Sequence, residues 1–136
     1  MPHLTDRARR AMVDANRLAQ ENESEFIGSL FIVIASIHAD NDLKLHIPGF
    51  DVSPSSILNS IGDLSQHDKA GAAKQLIADA LILAQSQQSS VVDTRHILLA
   101  AMNKPDNAVS AMLVAMQLNP HDIAAIIEPI LPDSDA

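Results

Sequence analysis

The chain of 136 residues nearly repeats itself at an offset of 65 positions. At that offset Ala8 falls on Ala73, Met12 on Ile77, Ala15 on Ala80 and Leu18 on Leu83, and the pair Ala19-Gln20 falls on Ala84-Gln85. Further on, Ile27-Gly28-Ser29 falls on Val92-Asp93-Thr94, and Ile32-Val33-Ile34-Ala35 on Ile97-Leu98-Leu99-Ala100. With one residue inserted, Val52-Ser53-Pro54 falls on Leu118-Asn119-Pro120, and Ile57 and Ile61 fall on Ile123 and Ile127. A repeat of this length is a duplicated structural unit. Neither copy can easily bury its own apolar faces alone, so the natural solution packs one on the other.

Each copy reads as a series of helices. Thr5 is placed to cap a helix whose first turn carries Asp6, where the helix dipole favours an acid. Ala8, Met12, Ala15 and Leu18-Ala19 then recur at helical spacing, which predicts a helix from Asp6 to Gln20. Ser29 is placed to cap a second helix reaching Ala39, apolar on most faces and therefore central. Asn41 to His46 predicts a short third helix, stopped by Pro48-Gly49. Ser53-Pro54 opens a fourth, because a proline at the first helical position loses no hydrogen bond. Gly62 is read as its left-handed cap. The second copy predicts helices over Lys69 to Gln87, from Asp93 or Thr94 to Met102, over Ala108 to Gln117, and behind Asn119-Pro120. Val91-Val92 is too short to read as a strand. The expected fold is all-α: two tandem four-helix repeats related by a pseudo-twofold axis within one domain, 1–136. Repeat one covers about 4–62, a linker 63–68, repeat two about 69–130, and a loose tail 131–136.

Composition narrows the function. The net charge is −8, which argues against nucleic acid and against anionic membranes. With 47% apolar residues but three phenylalanines and no Trp or Tyr, the core must be built from aliphatic side chains and alanine. No cysteine is present, so there is no disulfide framework, a usage compatible with the cytoplasm, where the chain is expected. The longest apolar run, Phe26 to Ile37, is too short to span a bilayer. None of the six histidines is spaced i, i+4 with another, and no metal site is expected. Ser89, Ser90, Asp93 and His96 are near in sequence, yet nothing supplies a nucleophile elbow or an oxyanion hole, so no catalytic residues and no cofactor are expected.

Several segments resemble the N-terminal domain of Clp ATPases, the double Clp repeat at the front of ClpA- and ClpC-type unfoldases. Leu4-Thr5-Asp6-Arg7-Ala8-Arg9-Arg10 is similar to the family's F-T-x-R-A-R-R opening, and Phe26-Ile27-Gly28-Ser29 to its Y-I-G-T. Thr94-Arg95-His96-Ile97-Leu98-Leu99-Ala100-Ala101 is similar to its T-E-H-I-L-L-G-L. The resemblance covers about residues 3–130 and implies a non-catalytic module that recruits substrates and adaptors to an unfolding ring. No G-x-x-x-x-G-K-[ST] loop occurs, so the chain is expected to be either a free-standing member without the ATPase modules or an excised domain, and its departures from the ClpC-type pattern favour the free-standing reading. The implied partner is a Clp ATPase or protease component, its adaptor or its substrates, with the chain acting as accessory, adaptor or decoy. A structural, self-associating module that has lost the Clp connection is the alternative, in which the partner is a second copy.

The copies depart from the family where ClpC-type members hold a phosphorylated arginine with a glutamate. Leu30 and Arg95 stand at those two places, so phosphoarginine recognition by that route is not expected. The candidate partner-binding residues are therefore Ser29, Leu30 and Phe31, as an apolar contact patch, and Thr94, Arg95 and His96, as its cationic counterpart. Arg7 and Arg10 share a helix face and join them as an anchor for an acidic segment.

Overall fold

The computed structural model describes residues 2–24, 27–51, 53–61 and 71–133. The linker 63–68, the cap at Gly62, the predicted helix start at Lys69 and the tail residues 134–136 lie outside the described residues. The first repeat contains strand β1 (His3–Leu4) and helices α1 (Asp6–Glu21), α2 (Ser29–Ala39), α3 (Asn41–His46) and α4 (Pro54–Ile61). The second contains α5 (Ala72–Ser86), strand β2 (Val91–Val92), α6 (Thr94–Asn103), α7 (Asn107–Met116) and α8 (Pro120–Ile127), followed by a 3-10 turn, Glu128–Ile130.

Local chemistry sets most of these boundaries. The Thr5 hydroxyl accepts the Ala8 N–H at 3.1 Å and starts α1. Asp40 accepts the Leu43 N–H at 3.2 Å and starts α3. Asp106 accepts the Val109 N–H at 2.9 Å and starts α7. Asn119 accepts the His121 N–H at 2.8 Å, with Pro120 in the first turn of α8. Each side chain satisfies an amide that the helix cannot. Ser29 departs from expectation. Gly28 is the N-cap of α2, and Ser29 is its first helical residue. Its hydroxyl donates instead to Asp106 of the other repeat.

Helices α2 and α6 form the centre. In α2 every residue from Ser29 to Ile37 is buried, and in α6 all but Arg95 and Asn103 are. Ile32, Val33, Ile34 and Ile37 are mediocre helix formers. Burial on all sides decides the matter, at about 2 kcal/mol for each such side chain removed from water. Helix α2 packs on α1 and α6, α6 packs on α5 and α8, and α4 of the first repeat packs on α7 of the second. The core is thus shared between the copies.

Two further features differ from the sequence expectation. Val91-Val92 is a strand after all: it pairs in parallel with β1, His3 opposite Val91 and Leu4 opposite Val92. So short a ladder has no hydrophobic alternation to read, and its partner lies at the far end of the chain. The start of the predicted loose tail is also tied down. The Pro132 carbonyl accepts from the Ser89 hydroxyl at 3.2 Å, and the Asp133 carbonyl accepts from the Ser90 amide at 2.9 Å.

Candidate docking surface and the inter-repeat clasp

The residues singled out from the sequence do not form one exposed surface. Ser29, Leu30, Phe31, Thr94 and His96 are all 1% exposed or less. Leu30 and Phe31 face the shared core because α2 is enclosed on every side, so the anticipated apolar contact patch is core filling. Arg7 and Arg10 also separate. Arg7 turns toward the other repeat, while Arg10 stays exposed on α1.

Arg7 and Arg95 form a charged clasp between the repeats. Arg7 donates through Nε to Asp93 Oδ1 at 3.2 Å and through Nη2 to Asp93 Oδ2. The same Asp93 Oδ1 accepts from the Thr5 hydroxyl at 2.7 Å. Arg95 donates through Nε to Asp40 Oδ2 at 2.8 Å and through Nη2 to Asp40 Oδ1 at 3.3 Å. Arg7 Nη1 stands 3.4 Å from Asp40 Oδ2, so Asp40 bridges the two guanidinium groups. A further Arg95 N–H reaches the Ile130 carbonyl at 3.1 Å, tying the C-terminal segment to the clasp. Asp40 is completely buried and Asp93 nearly so.

The electrostatics follow from that geometry. Burial pushes the Asp93 carboxyl up, but Arg7 and Thr5 outweigh it and hold it below its ordinary value of 3.8. The bonds from Arg95 to Asp40 hold that guanidinium more firmly protonated, against the cost of burial. Arg95 is therefore neutralised inside the molecule and is not a free cationic contact. Burial lowers the His96 pKa below 6.5, and the Asp93 charge only partly opposes this. His96 Nδ1 accepts the Asp93 N–H at 2.9 Å, closing a capping box on α6 and placing the ring proton on Nε2. That Nε2, like Ser36 Oγ and Thr94 Oγ1, is buried without a hydrogen-bond partner among the described residues. No group of His, Asp or Glu that could hold a metal ion occurs among the described residues.

An open surface lies elsewhere. Between α1 and α5, over the start of α2, runs a groove of about 350 Å³ lined by Met12, Ile27, Ile32, Ala73, Lys74 and Ile77. Met12 and Ile77 are equivalent positions of the two repeats, so the groove separates the paired first helices. A smaller cleft of about 160 Å³ opens between α5, α6 and α7, with Ala72 in its wall. Ala72 is the counterpart of Arg7, so the second repeat is hollow where the first is filled by an arginine.

Among solved structures, the N-terminal domain of the caseinolytic protease associated chaperone ClpD from Arabidopsis thaliana matches with a TM-score of 0.75. The match covers 93% of this chain and 93% of that one, at 14% identity. The chain has the fold of that domain. No family model and no curated protein matches the sequence. Within this Clp N-domain fold, the clasp occupies the start of α6 and the groove follows the line between the repeats. No helix among the described residues is long and apolar enough to cross a membrane.

The sequence singled out Arg7 and Arg95 but missed their acceptor. Asp40 follows α2 directly, and its cap on α3 accounts for an acid there, so nothing advertises a second role. Its partner Arg95 is 55 residues away. Met12 and Ile77 were visible as matched scaffold positions. Their signal as a surface is that both are half-buried where their neighbours Ala11 and Leu76 are buried.

Proposed function

We propose that this chain is a non-catalytic protein-binding module that docks apolar segments of a partner in the groove between α1 and α5. The observation that carries the reading is the groove itself: an open, aliphatic-lined trough between equivalent helices of the two repeats. Helix-flanked grooves of this kind take extended or helical segments through a few apolar anchors. The ClpD domain belongs to a protease-associated chaperone, and that association supports a finer reading. The partner would be a component, adaptor or substrate of an ATP-dependent protease, with this chain as accessory, adaptor or decoy.

The test is calorimetric titration with β-casein, an unfolded, apolar-rich protein, against the wild type and Met12→Asp. Met12 is half-buried on the surface, so circular dichroism should show the fold retained. The expected result is binding by the wild type and loss of roughly tenfold or more in the variant, the cost of setting a charge where an apolar anchor is buried. Equal binding by both would remove the groove from the account.

A further inference from the structure

The two repeats hold equivalent carboxylates, and only one of them is covered by cations. Asp40 caps α3 through the Leu43 N–H, and Asp106 caps α7 through the Val109 N–H. Each also accepts a bond from the head of the other repeat's central helix, Asp40 from Arg95 of α6 and Asp106 from Ser29 of α2. Asp40 is completely buried, with the guanidinium groups of Arg7 and Arg95 against it. The counterpart of Arg7 is Ala72, and the counterpart of Arg95 is Leu30, which lies in the core. Asp106 is left half-buried, with no cation in ion-pairing distance among the described residues. Each of its oxygens carries one bond, which leaves a lone pair on each for a further donor. The cleft of about 160 Å³ beside Ala72 joins Asp106 to a second carboxylate, Asp79, and to the buried Leu76, Ala101 and Val109. Asp79 accepts from the Gln75 amide at 2.8 Å and meets no cation either among the described residues. Lys104 is the one cation in the lining, and it stays exposed, outside ion-pairing distance of both carboxylates.

We infer that this cleft receives an arginine side chain of another protein, held as Arg7 is held in the first repeat. The methylene stem lies on Leu76, Ala101 and Val109, and the guanidinium pairs with Asp106 and Asp79. Arginine suits the site because it buries an apolar stem and carries a planar fork of donors that two carboxylates can share. The pairing uses carboxylates at neither the Leu30 nor the Arg95 position. It is also independent of the groove: the cleft takes Ala72 and Leu76 of α5, while the groove takes Ala73 and Ile77.

The experiment titrates the intact chain with the end-blocked peptide Gly-Gly-Arg-Gly-Gly, followed by backbone and methyl NMR. The expected result is saturable shifts at Ala72, Leu76, Ala101 and Val109. Citrulline in place of arginine keeps the shape and removes the charge, and should weaken binding roughly tenfold, the loss of hydrogen bonds to a charged group. Lysine in its place should also bind more weakly, because it lacks the planar fork. Asp79→Asn, a half-buried substitution outside the core, should weaken the arginine peptide about threefold. Ala72→Arg, which gives the second repeat the residue the first already has, should abolish the shifts and raise the melting temperature. No saturable shift in the cleft, or equal binding of the arginine and citrulline peptides, would overturn the proposal. Tighter binding of free arginine than of the peptide would make the cleft a small-molecule site and overturn it as well. Binding that appears only in Lys104→Ala would assign the cleft to the chain's own lysine, with the same consequence.

Discussion

Asp40 is the residue on which the interior electrostatics turn. One fully buried carboxylate serves Arg95 by two hydrogen bonds, stands near Arg7, and caps α3. Removing it leaves two guanidinium groups facing each other in a poorly solvated place. Asp40→Ala should therefore cost about 3 kcal/mol, the penalty for breaking a buried pair from one side. For a chain of this size that amounts to a fall in melting temperature on the order of 10 °C, read by calorimetry. A variant melting with the wild type would mean that solvent already screens the clasp. His96 makes a second residue-scale prediction. Its pKa is lowered in the folded state, so the unfolded chain takes up the proton first. The stability it contributes is present above 6.5 and is lost as the pH falls below that value. Asp93, held below 3.8, adds a further loss once the pH passes beneath that point. Urea unfolding at about pH 7.5 and about pH 5 should show the histidine part of this fall, and His96→Gln should lessen it. An unchanged slope in the variant would place the dependence elsewhere.

At the scale of elements, the caps carry more than local order. Asp106 starts α7 and also receives the Ser29 hydroxyl from the head of α2, so one side chain both ends a loop and joins the repeats. Asp106→Ala should cost about 2 kcal/mol, from the lost cap together with a buried hydroxyl left unpaired. Denaturant titration of this variant against Asn119→Ala, which removes a cap on the exposed α8 start, should show the first to be the more damaging. The caps at Thr5, Asp93 and Asn119 were legible in the sequence because they act within three residues of themselves, a range at which amino-acid type nearly dictates the hydrogen bond; Asp106, inside a segment that reads as a turn, was not recognised as one. The helices behind them were legible for the same reason. The β1–β2 pair and the Ser89–Pro132 tie were not, because each joins one terminal segment to residues 89–92 through a handful of backbone and hydroxyl groups with no periodic signature. The start of α2 was misread at Ser29, where a distant carboxylate competes with the local amide for the hydroxyl.

For the molecule as a whole, the duplication was the most legible feature and the site the least. Matched alanines and aliphatics placed α2 and α6 in the middle and α1 and α5 beside them. The positions where the copies differ did not become binding residues: Leu30-Phe31 went into the core, and Arg95 went into the clasp. Divergence between the copies is instead structural. One repeat fills the space beside its first helix with Arg7, and the other leaves a cleft beside Ala72. Open surface is left where the copies agree, between Met12 and Ile77. A position can match across repeats because both sides of one groove need it, and sequence comparison alone cannot separate that from a matched core. The most direct test of the account is a backbone and methyl NMR titration of the intact chain with β-casein. Docking in the groove predicts shifts concentrated at Met12, Ile27, Ile32, Ala73 and Ile77, with Arg95, His96 and the rest of the clasp unmoved. Shifts concentrated at the clasp or in the cleft beside Ala72, with the groove silent, would contradict it.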